Sequence, residues 1–328
     1  MPQASSNWRP SARISRLKRR AEIITAIRGF FAALDYTEVS TPVIAATTSS
    51  DPHLASLTLD CMGKKAWLQT SPEQHMKRLL AAGMDACYQI GPAFRADEAG
   101  SQHNPEFTLL EWYRPGFNLA ELVDECRALI DKLRSEFLDQ TGTTIDIASY
   151  NEAWNRFLPG NPHLMQTPEL LQLLTKQERA SLGLLAVDQA RDYLFAERIQ
   201  PYLREPVLIH SFPADSSAMA RLAEETTLRG QEYQVAARVE LYWKGLEILN
   251  GYHELLDAGE LQQRHTRDCR IRADRGLPVI PPQNALYDAM NNGLPPCAGA
   301  ALGVERLLMC LLDANSIREV MAFPFDLA

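Results

Sequence analysis

The segment FRADEAGSQHNPEFTLLEWY, residues 94–113, decides the fold that this sequence predicts. An apolar run at 86–90 leads into it, and a second β-prone run at 107–113 ends it. Apolar runs on both sides of a long polar stretch are typical of two antiparallel strands joined by a loop. The loop carries charges of both signs, and Arg95 precedes His103 by eight residues. Such a loop can close over a polyphosphate, but a solvated hairpin with a few salt bridges has the same pattern.

The composition of the 328-residue chain is that of a globular enzyme, with 46% hydrophobic and 23% charged residues. Its net charge of −8 argues against general nucleic-acid binding, which needs a basic surface. No apolar run approaches the roughly 20 residues that cross a bilayer, and the amino terminus lacks the apolar segment of a signal peptide. We therefore expect a cytoplasmic protein, whose six scattered cysteines are reduced and structural.

The amino-terminal region predicts an amphipathic helix preceded by positive charge. Apolar residues recur at helical spacing from Ser15 to about Leu34. The basic residues before this helix and in its first turns are Arg9, Arg13, Arg16, Lys18, Arg19 and Arg20. This basic cluster either steers an acidic partner or forms a solvated helix face. A β-prone run at 36–44 follows, and Pro42 within it favours a sheet edge or an interface.

The remainder of the chain predicts strands with helices outside them. A helix is expected from Pro72 to about Ala82, and the segment 119–203 is mostly helical in pattern, with no cluster that suggests chemistry. Strands are expected at 207–210, 237–243 and 245–249. A final apolar helix begins near Gly303. This order predicts an α+β fold, with an antiparallel sheet flanked by helices.

Three features occur in a fixed order along the chain. They are Thr41-Pro42 after the first helix, the hairpin from Arg95 to Glu111, and Gly303 to Arg306 at the start of the last helix. Together they resemble the three signature motifs of class II aminoacyl-tRNA synthetases. Three further segments resemble the lysyl enzymes of that class, namely HNPEFT at 103–108, HSFPADSSAMARL at 210–222 and ELYWKGLEILNGYHEL at 240–255. The resemblance spans nearly the whole chain and implies the antiparallel catalytic fold of that class.

The lysyl enzymes carry an OB-fold anticodon-binding domain ahead of the catalytic domain. About 15 residues precede the first predicted helix, too few for an OB-fold anticodon-binding domain. We therefore expect residues 1–328 to form a single catalytic domain, with 1–14 as a flexible basic segment. The segment EWYRPGF at 111–117 adds a close resemblance to the free-standing ligases that attach (R)-β-lysine to elongation factor P.

That resemblance implies the partners of the reaction. They are ATP and Mg²⁺ as cofactors, (R)-β-lysine as the amino acid and elongation factor P as the acceptor, with no tRNA and no membrane. We also expect a homodimer, formed through the helix and strand at 30–44. Two other interpretations stay open: a truncated synthetase-like ligase that uses α-lysine with tRNA or another acceptor, and an inactive regulatory paralogue.

Several matched residues imply a nucleotide site. Activation of a carboxylate by ATP needs alignment and neutralised charge rather than a protein nucleophile. By resemblance, Arg95 grips the α-phosphate, and Arg306 lies over the adenine and reaches the terminal phosphate. Phe107 stacks on the opposite face of the adenine, and Gly303 lets the backbone approach the nucleotide. The resemblance brings six more residues to the nucleotide: Ala96, Asp97, His103, Asn104, Glu247 and Ile248.

Two carboxylates match the metal ligands of the family. Glu240 and Glu247 are seven residues apart, and we expect them on neighbouring strands. Mg²⁺ takes one or two carboxylates in addition to phosphate oxygens, so the pair suits it, although two surface carboxylates would have the same spacing. The chain departs from the family at Asp97, where a glutamate is usual. Either Asp97 or the adjacent Glu98 therefore makes that nucleotide contact.

Other matched residues imply a pocket for an amino acid with two amines. Glu254 and Tyr113 match the pair that holds the distal ammonium of lysine. A buried ammonium needs such a partner, because leaving it unpaired costs on the order of 3–5 kcal/mol. Three consecutive residues match the site of the other amino group, namely Ser71, Pro72 and Glu73.

Three more positions complete the predicted amino-acid pocket. Asn250 either holds the site together or contacts the substrate, and Tyr252 either walls the aliphatic chain or belongs to the core. Ala301 stands where lysyl-tRNA synthetases have glycine. Its methyl group narrows the space around an α-amine and so favours a β-amine, by about 1–3 kcal/mol.

Overall fold

The computed structural model describes residues 8–96, 100–140, 142–182 and 186–328. Asp97 and Glu98, the two candidates for one nucleotide contact, lie outside the described residues. Among the helices of the described ranges, none combines the length and the apolar character needed to cross a membrane.

Helices in the described residues are short or of medium length, and polar caps define several of their ends. The α-helices are α1 Ile14–Ala32, α2 Glu73–Ala81, α3 Leu119–Leu138, α4 Tyr150–Asn155, α5 Thr167–Gln172, α6 Lys176–Leu182, α7 Val187–Arg198, α8 Ala258–Asp274, α9 Asn284–Asn291 and α10 Val304–Leu311. Short 3₁₀ helices are Gln200–Tyr202, Ala214–Ser216 and Ile317–Glu319. Helix α3 begins with a capping box, in which Asn118 accepts from the Glu121 amide and Glu121 accepts from the Asn118 amide. This reciprocal pair satisfies amides that have no partner inside the helix.

The strands build one large sheet and one small sheet. They are β1 Thr37–Glu38, β2 Ile44–Ala45, β3 Thr58–Cys61, β4 Lys64–Leu68, β5 Cys87–Phe94, β6 Glu106–Pro115, β7 Asp146–Ser149, β8 Val207–Pro213, β9 Leu222–Thr226, β10 Glu232–Trp243, β11 Leu246–His253 and β12 Cys297–Gly303. In the described residues the large sheet has nine strands in the order β1-β5-β6-β12-β11-β10-β8-β7, with β9 on β10. The small sheet has the order β2-β4-β3.

One face of the large sheet is apolar and packs on helices. Leu110 and Trp112 of β6, Ala300 of β12 and Leu241 of β10 belong to the main core. Residues of α1, α3 and α10 complete this core, including Phe31, which stacks on Tyr88 with ring centroids 4.7 Å apart. Because side chains alternate along a strand, the residues between these apolar ones point to the opposite face. That opposite face carries the predicted site.

The segment 119–203 contributes the long helix α3 and then a separate group of small helices. Helices α4, α5 and α7 pack with β8 around a second core that contains Tyr150, Trp154 and Phe195. Arg191 anchors α7, because its buried guanidinium pairs with Asp215 and donates to the Pro162 carbonyl at 3.1 Å. The prediction of a mostly helical scaffold is confirmed, although β7 within it was not predicted.

The predicted antiparallel α+β sheet is confirmed, and its two edges differ from the prediction. Strands β5 and β6 pair antiparallel from Cys87 to Phe94, as the hairpin predicted. Strands β1 and β7 instead pair parallel with β5 and β8. The β-prone run at 36–44 forms only two short strands, because Pro42 has no amide to donate. Strands β9 and β12 and helices α8 and α9 were not predicted.

The basic cluster at the start of α1 is partly used inside the molecule. Arg16 pairs with Glu319 at 2.6 Å, and Arg19 pairs with Glu22 at 2.8 Å. Arg20 pairs with the buried Glu305 at 2.9 Å. The pairs of Arg16 and Arg20 connect α1 to the segment near the end of the chain and to α10, whereas that of Arg19 lies within α1. These three charges are therefore less available to a docking partner.

Candidate functional site

The polar face of the large sheet lines a cavity of about 350 Å³. It gathers most of the predicted residues, namely Ser71, Glu73, Arg95, His103, Asn104, Phe107, Tyr113, Glu247, Ile248, Asn250, Tyr252, Glu254, Ala301, Gly303 and Arg306. Phe107 and Tyr113 mark its two ends on β6. They are six residues apart, which is about 20 Å at roughly 3.3 Å per residue. The ends differ in charge, and we refer to the end near Tyr113 as the acidic end and to the end near Phe107 as the basic end.

A β-bulge in the β10–β11 hairpin aligns the polar residues of the cavity. Lys244 and Gly245 form the two-residue turn, both with positive φ. Tyr242 pairs with Glu247, but Leu241 pairs with Leu249, so Ile248 is an extra residue in β11. After the extra residue, the alternation of β11 side chains between the two faces of the sheet is shifted by one position. The carboxylate of Glu247 is therefore on the same face as Asn250 and Tyr252, which strict alternation from Glu247 would put on the other face.

Three carboxylates meet at the acidic end. Glu111 is 1% exposed and accepts hydrogen bonds from Ser71 Oγ and from Tyr113 Oη, both at 2.7 Å. Glu254 is also 1% exposed, and neither of its oxygens has a hydrogen-bond partner among the described residues, although Oε2 belongs to an ion pair and Oε1 does not. Glu73 begins α2 and is partly exposed. Buried carboxylate oxygens normally have partners, so the open oxygen of Glu254 indicates a place for a donor from a ligand.

The acidic end also contains a lysine of the protein itself. Lys77, one turn after Glu73 on α2, is fully buried. Its Nζ lies 2.5 Å from Glu73 Oε1 and 2.5 Å from Glu254 Oε2. The carboxylates predicted to bind two different ammonium groups therefore share a resident cation, and their nearest oxygens are at most about 5 Å apart through that cation.

Burial changes the proton affinity of these groups. It raises the pKa of Glu254 to about 8 against the opposing charge of Lys77, and the charge of Glu73 adds to the rise. Burial and the charge of Glu73 raise the pKa of Glu111 to about 7. Burial lowers the pKa of Lys77, but the charges of Glu254 and Glu73 outweigh it and raise that pKa overall. The acidic end therefore holds excess negative charge that a bound cation would relieve.

Small residues of β12 make room for the Tyr113 ring. A Cβ atom on Gly299, which pairs with Tyr113 across the sheet, would overlap the Cδ1 and Cε1 atoms of that ring. Ala301 pairs with Glu111 on one side and with Asn250 on the other. Its methyl group therefore faces the cavity, and its effect on the position of an amine remains a prediction. Gly303 has φ −74°, so only the predicted approach of a nucleotide would require a glycine there.

The basic end is formed by two arginines and an aromatic ring. The guanidinium of Arg95 lies over the Phe107 ring, 5.0 Å from its centroid. Arg306 hydrogen-bonds the His103 imidazole and donates to the Glu247 carbonyl at 2.9 Å. These contacts hold the arginines at the cavity wall, and cation–π contact with Phe107 is favourable for a guanidinium. The predicted stacking of adenine between Arg306 and Phe107 remains a prediction.

Two predicted nucleotide residues use their polar groups within the protein. The Ala96 amide donates to the Ala55 carbonyl at 2.7 Å. Asn104 is buried, donates from Nδ2 to the Glu106 carbonyl at 2.6 Å and accepts from the Phe325 amide at 2.9 Å. The side chain of Asn104 thus orders the loop before β6, and any contact it makes with a nucleotide would compete with these bonds.

The two predicted metal ligands meet where two cavities adjoin. Glu247 lines the cavity described above, whereas Glu240 lines an adjoining cavity of about 590 Å³ that also contacts Glu247, Glu73 and Tyr252. Glu240 is buried and accepts hydrogen bonds from Arg238 and Tyr242. Burial raises the pKa of Glu240 to about 7 against the charge of Arg238, and the charge of Glu247 adds to the rise.

This donor set fits Mg²⁺ together with a polyphosphate. No cluster of three or more histidine, cysteine or acidic side chains that could hold a metal occurs in the ranges that the structure describes. Mg²⁺ does not need such a cluster, because one or two carboxylates and phosphate oxygens suffice. Glu240 and Glu247 repel each other, as the pKa of Glu240 indicates, and a divalent cation between them would remove that repulsion.

Three other predicted residues have structural roles. Asn250 accepts from Arg238 Nε at 3.1 Å and donates to Tyr252 Oη at 3.0 Å, so it holds the site together. Ser71 accepts from the Glu73 amide at 3.0 Å as well as donating to Glu111. Pro72 is the residue immediately before α2 and has no side-chain polar atom, so it shapes the turn.

Comparisons with known proteins identify the family of this chain. A family model described as tRNA synthetases class II (D, K and N) matches residues 5–327. Two curated proteins named elongation factor P--(R)-beta-lysine ligase, from Photorhabdus laumondii and Hamiltonella defensa, are each 40% identical to this chain over 99% of both lengths. A protein of that name from Yersinia pestis is 39% identical over the same share.

The chain belongs to the class II tRNA synthetase family. The resemblance to the elongation factor P ligases within that family, which rested on a few motifs, is confirmed along the whole chain. Like the named relatives, this class II synthetase is an amino-acid ligase, and enzymes of this kind generally use ATP and Mg²⁺.

Three site residues of this class II synthetase have no role in the sequence prediction, namely Lys77, Glu111 and Arg238. Lys77 follows Glu73 by four residues, a spacing that usually indicates an exposed helical ion pair, so no pattern in the sequence indicates its burial. Glu111 precedes Tyr113 by two residues on a predicted strand, and this alternation is a signal that could have found it. The same argument applies to Arg238, which precedes Glu240 by two residues.

Proposed function

We propose that this class II synthetase activates (R)-β-lysine with ATP and transfers it to the ε-amine of a lysine on elongation factor P. The observation that carries the proposal is a single cavity with three carboxylates at one end and two arginines at the other. Carboxylates pair with the ammonium groups of a diamino acid, and guanidinium groups pair with phosphates. The names of the relatives supply the amino acid and the acceptor.

In the first step, a carboxylate oxygen of β-lysine attacks the α-phosphorus of ATP. The bond to the bridging oxygen breaks, and pyrophosphate leaves with the electron pair. Arg95 and Arg306 neutralise the charge that grows on the phosphate oxygens. Glu254 and Tyr113 hold the distal ammonium and Glu73 the other one, so that the substrate carboxylate points along β6 toward the nucleotide.

Glu240 and Glu247 would hold Mg²⁺ on the phosphates. The ion supplies Lewis-acid neutralisation of phosphate charge when it is bound. Arg238 keeps the Glu240 carboxylate ionised and oriented, since it donates to Glu240 and to Asn250. The side chain of Tyr252, fixed by Asn250, forms the wall beside the aliphatic part of the substrate.

In the second step, the neutral ε-amine of the acceptor lysine attacks the carbonyl carbon of the adenylate. The bond from that carbon to the phosphate oxygen breaks, AMP leaves with the electron pair, and the amine nitrogen loses a proton as the amide forms. The adjoining cavity that contains Glu240 opens onto the same site and offers a route for a long lysine side chain.

The test is exchange between ATP and pyrophosphate, without acceptor, for (R)-β-lysine, (S)-β-lysine and α-lysine. We expect a strong preference for (R)-β-lysine. Intact mass of purified elongation factor P should then increase by one β-lysyl group when enzyme, ATP and Mg²⁺ are present. Equal exchange with α-lysine, or charging of tRNA, would favour a truncated synthetase. Absence of exchange with all three amino acids would favour an inactive paralogue.

We also propose that the enzyme acts in the cytoplasm as a homodimer through the region at 30–44. Ile44 in this region is an exposed large apolar side chain, which suits an interface. Phe31, by contrast, lies in the core of its own chain and is not available to a partner. Sedimentation equilibrium of the wild type and of Ile44→Glu tests the proposal. An unchanged mass for the variant, or a monomeric wild type, would contradict it.

A further inference from the structure

Lys77 is the least expected residue of the acidic end. A fully buried lysine is rare in proteins, and its charge is tolerated only with ionic partners. The two partners, Glu73 and Glu254, come from different parts of the fold, the start of α2 and the segment after β11. Lys77 Nζ also lies 5.8 Å from the centroid of the Tyr113 ring. One ammonium thus contacts the groups predicted to bind both amines of the substrate.

The third carboxylate, Glu111, is held by neutral groups. Its hydrogen bonds come from the hydroxyl groups of Ser71 and Tyr113, which satisfy its oxygens without removing its charge. The charge of Lys77 opposes the rise in the pKa of both Glu111 and Glu254. Lys77 also pairs with Glu73, so its charge acts on all three carboxylates. When these groups are ionised, three carboxylates and one ammonium leave two negative charges.

Lys77 also determines which oxygen of Glu254 is available. Neither oxygen of Glu254 has a hydrogen-bond partner of good geometry among the described residues, but Oε2 forms the 2.5 Å ion pair with Lys77 Nζ, whereas Oε1 is left for a donor in the cavity that Glu254 lines. A buried lysine whose stem is packed in α2 has little freedom, so it fixes the carboxylate in one orientation. Tyr113, bonded to Glu111, stands beside the same site.

We propose that Lys77 is a resident counter-ion that sets the charge of the acidic end to match an amino acid with two ammonium groups and that holds Glu254 in its binding orientation. The proposal rests on the proposed function and names a specificity-determining residue within it. Lys77 is a positioning residue, because it acts through Glu73 and Glu254 rather than on the reacting atoms.

The alternative is that Lys77 only joins α2 to the segment after β11. Both possibilities predict loss of stability when Lys77 is replaced, but they differ in specificity. Without Lys77, Glu254 loses the cation that opposes the rise of its pKa, so that pKa should rise further and a bound ammonium should ionise the carboxyl group less readily. A protonated carboxyl group attracts an ammonium weakly, so the enzyme should lose its preference for a substrate with a distal amine.

The experiment compares (R)-β-lysine with its analogue that lacks the distal amine, (R)-3-aminohexanoic acid. The quantity measured is the ratio of their kcat/KM values in ATP/pyrophosphate exchange, for the wild type, Lys77→Met, Lys77→Gln and Lys77→Arg. We expect the ratio to fall at least tenfold in Lys77→Met and Lys77→Gln. The charged Lys77→Arg variant should keep more of the ratio than either neutral variant.

Arg191→Met is the matched control, because it also removes a buried, ion-paired cation, in the second core. We expect it to lower the melting temperature and to leave the ratio unchanged. A ratio that stays at the wild-type value in Lys77→Gln, with a lower melting temperature, would overturn the proposal. If Lys77→Met does not fold, the comparison of Lys77→Gln with Lys77→Arg decides by the same ratio.

Failure of the proposed function is visible in the wild type alone. A wild type that exchanges with α-lysine and not with β-lysine would overturn that function. The role of Lys77 is then decided with α-lysine and 2-aminohexanoic acid, in the same variants and by the same ratio. A wild type without exchange for any diamino acid would overturn both.

Discussion

The two ends of the cavity lie on the same strand, β6, but their charged groups differ in burial and in partners. At the acidic end, Glu111, Glu254 and Lys77 are buried, and they neutralise one another incompletely. At the basic end, Arg95 and Arg306 are only partly buried and rest against a ring and a carbonyl group. A small ammonium needs a dry, charged pocket, whereas a polyphosphate needs reachable guanidinium groups. Under the proposed function, this difference assigns specificity for the amino acid to the closed end and activation by the nucleotide to the open end.

The largest effect is expected from the basic end. Arg306→Ala should lower kcat for ATP/pyrophosphate exchange by about 10²–10³, because a charge-stabilising donor is lost. The affinity for β-lysine, measured by thermal shift without ATP, should stay within about twofold. Arg127→Ala, in an exposed ion pair on α3, is the control and should leave the rate unchanged. A variant that loses β-lysine binding as well would mean that the two ends are not separate.

The next effect belongs to the acidic end. Glu254→Gln keeps the shape of the side chain and removes the charge that faces the open position. The KM for β-lysine should rise about 10–100-fold, since hydrogen bonds to charged groups contribute about 1.5–3 kcal/mol. The KM for ATP should change little, and steady-state kinetics with each substrate varied gives both values. Equal changes in the KM for β-lysine and the KM for ATP would contradict the separation of the acidic end from the basic end.

A smaller effect is expected from the space behind Tyr113. Gly299→Ala places a methyl group where the Tyr113 ring lies, so the ring must move. We expect a loss of about 1–3 kcal/mol in the free energy of unfolding, measured in urea, and a higher KM for β-lysine. Gly29→Ala, where a Cβ atom meets nothing within 4 Å, should stabilise α1 by up to about 1 kcal/mol. Equal stability changes in the two variants would contradict the packing argument.

The smallest effect is a dependence of stability on pH in the ligand-free enzyme. The pKa of Glu111 is raised to about 7 and that of Glu254 to about 8, so the folded protein binds more protons than the unfolded chain above the ordinary glutamate value. Between pH 6 and 7 these two groups should therefore lower the free energy of unfolding by about 1 kcal/mol each. Histidines whose pKa is lowered by burial act in the opposite direction over the same range, so the contribution of one glutamate is obtained by comparison with a variant; these are His75, His163, His210, His253 and His265. Urea unfolding at both pH values measures the slope.

In the Glu111→Gln variant one of these contributions is removed, so its change in the free energy of unfolding from pH 6 to 7 should be more positive than that of the wild type by about 1 kcal/mol. Glu136→Gln, in an exposed ion pair on α3, is the control and should keep the wild-type slope. A Glu111→Gln variant whose free energy of unfolding changes from pH 6 to 7 by the same amount as that of the wild type would contradict the raised pKa of Glu111.

Local patterns made much of the fold and the site predictable. The β5–β6 hairpin follows from alternation over a few residues, and the first and last helices follow from helical spacing. Strand β12 was missed because its sequence, CAGAALG, contains small residues with little β propensity. The close approach of the Tyr113 ring to Gly299 explains those small residues, and that approach depends on a strand far away in the sequence.

The sequence by itself determined the order of the motifs, the identity of the charged residues and the likeness to class II synthetases. Only the tertiary structure decided which of these residues meet. The extra residue Ile248 in β11 turns the Glu247 carboxylate to the face that carries Asn250 and Tyr252, and a register shift of this kind is set by pairing with β10. The burial of Lys77 between Glu73 and Glu254 was likewise decided by packing, because the same four-residue spacing on an isolated helix would leave that lysine in water.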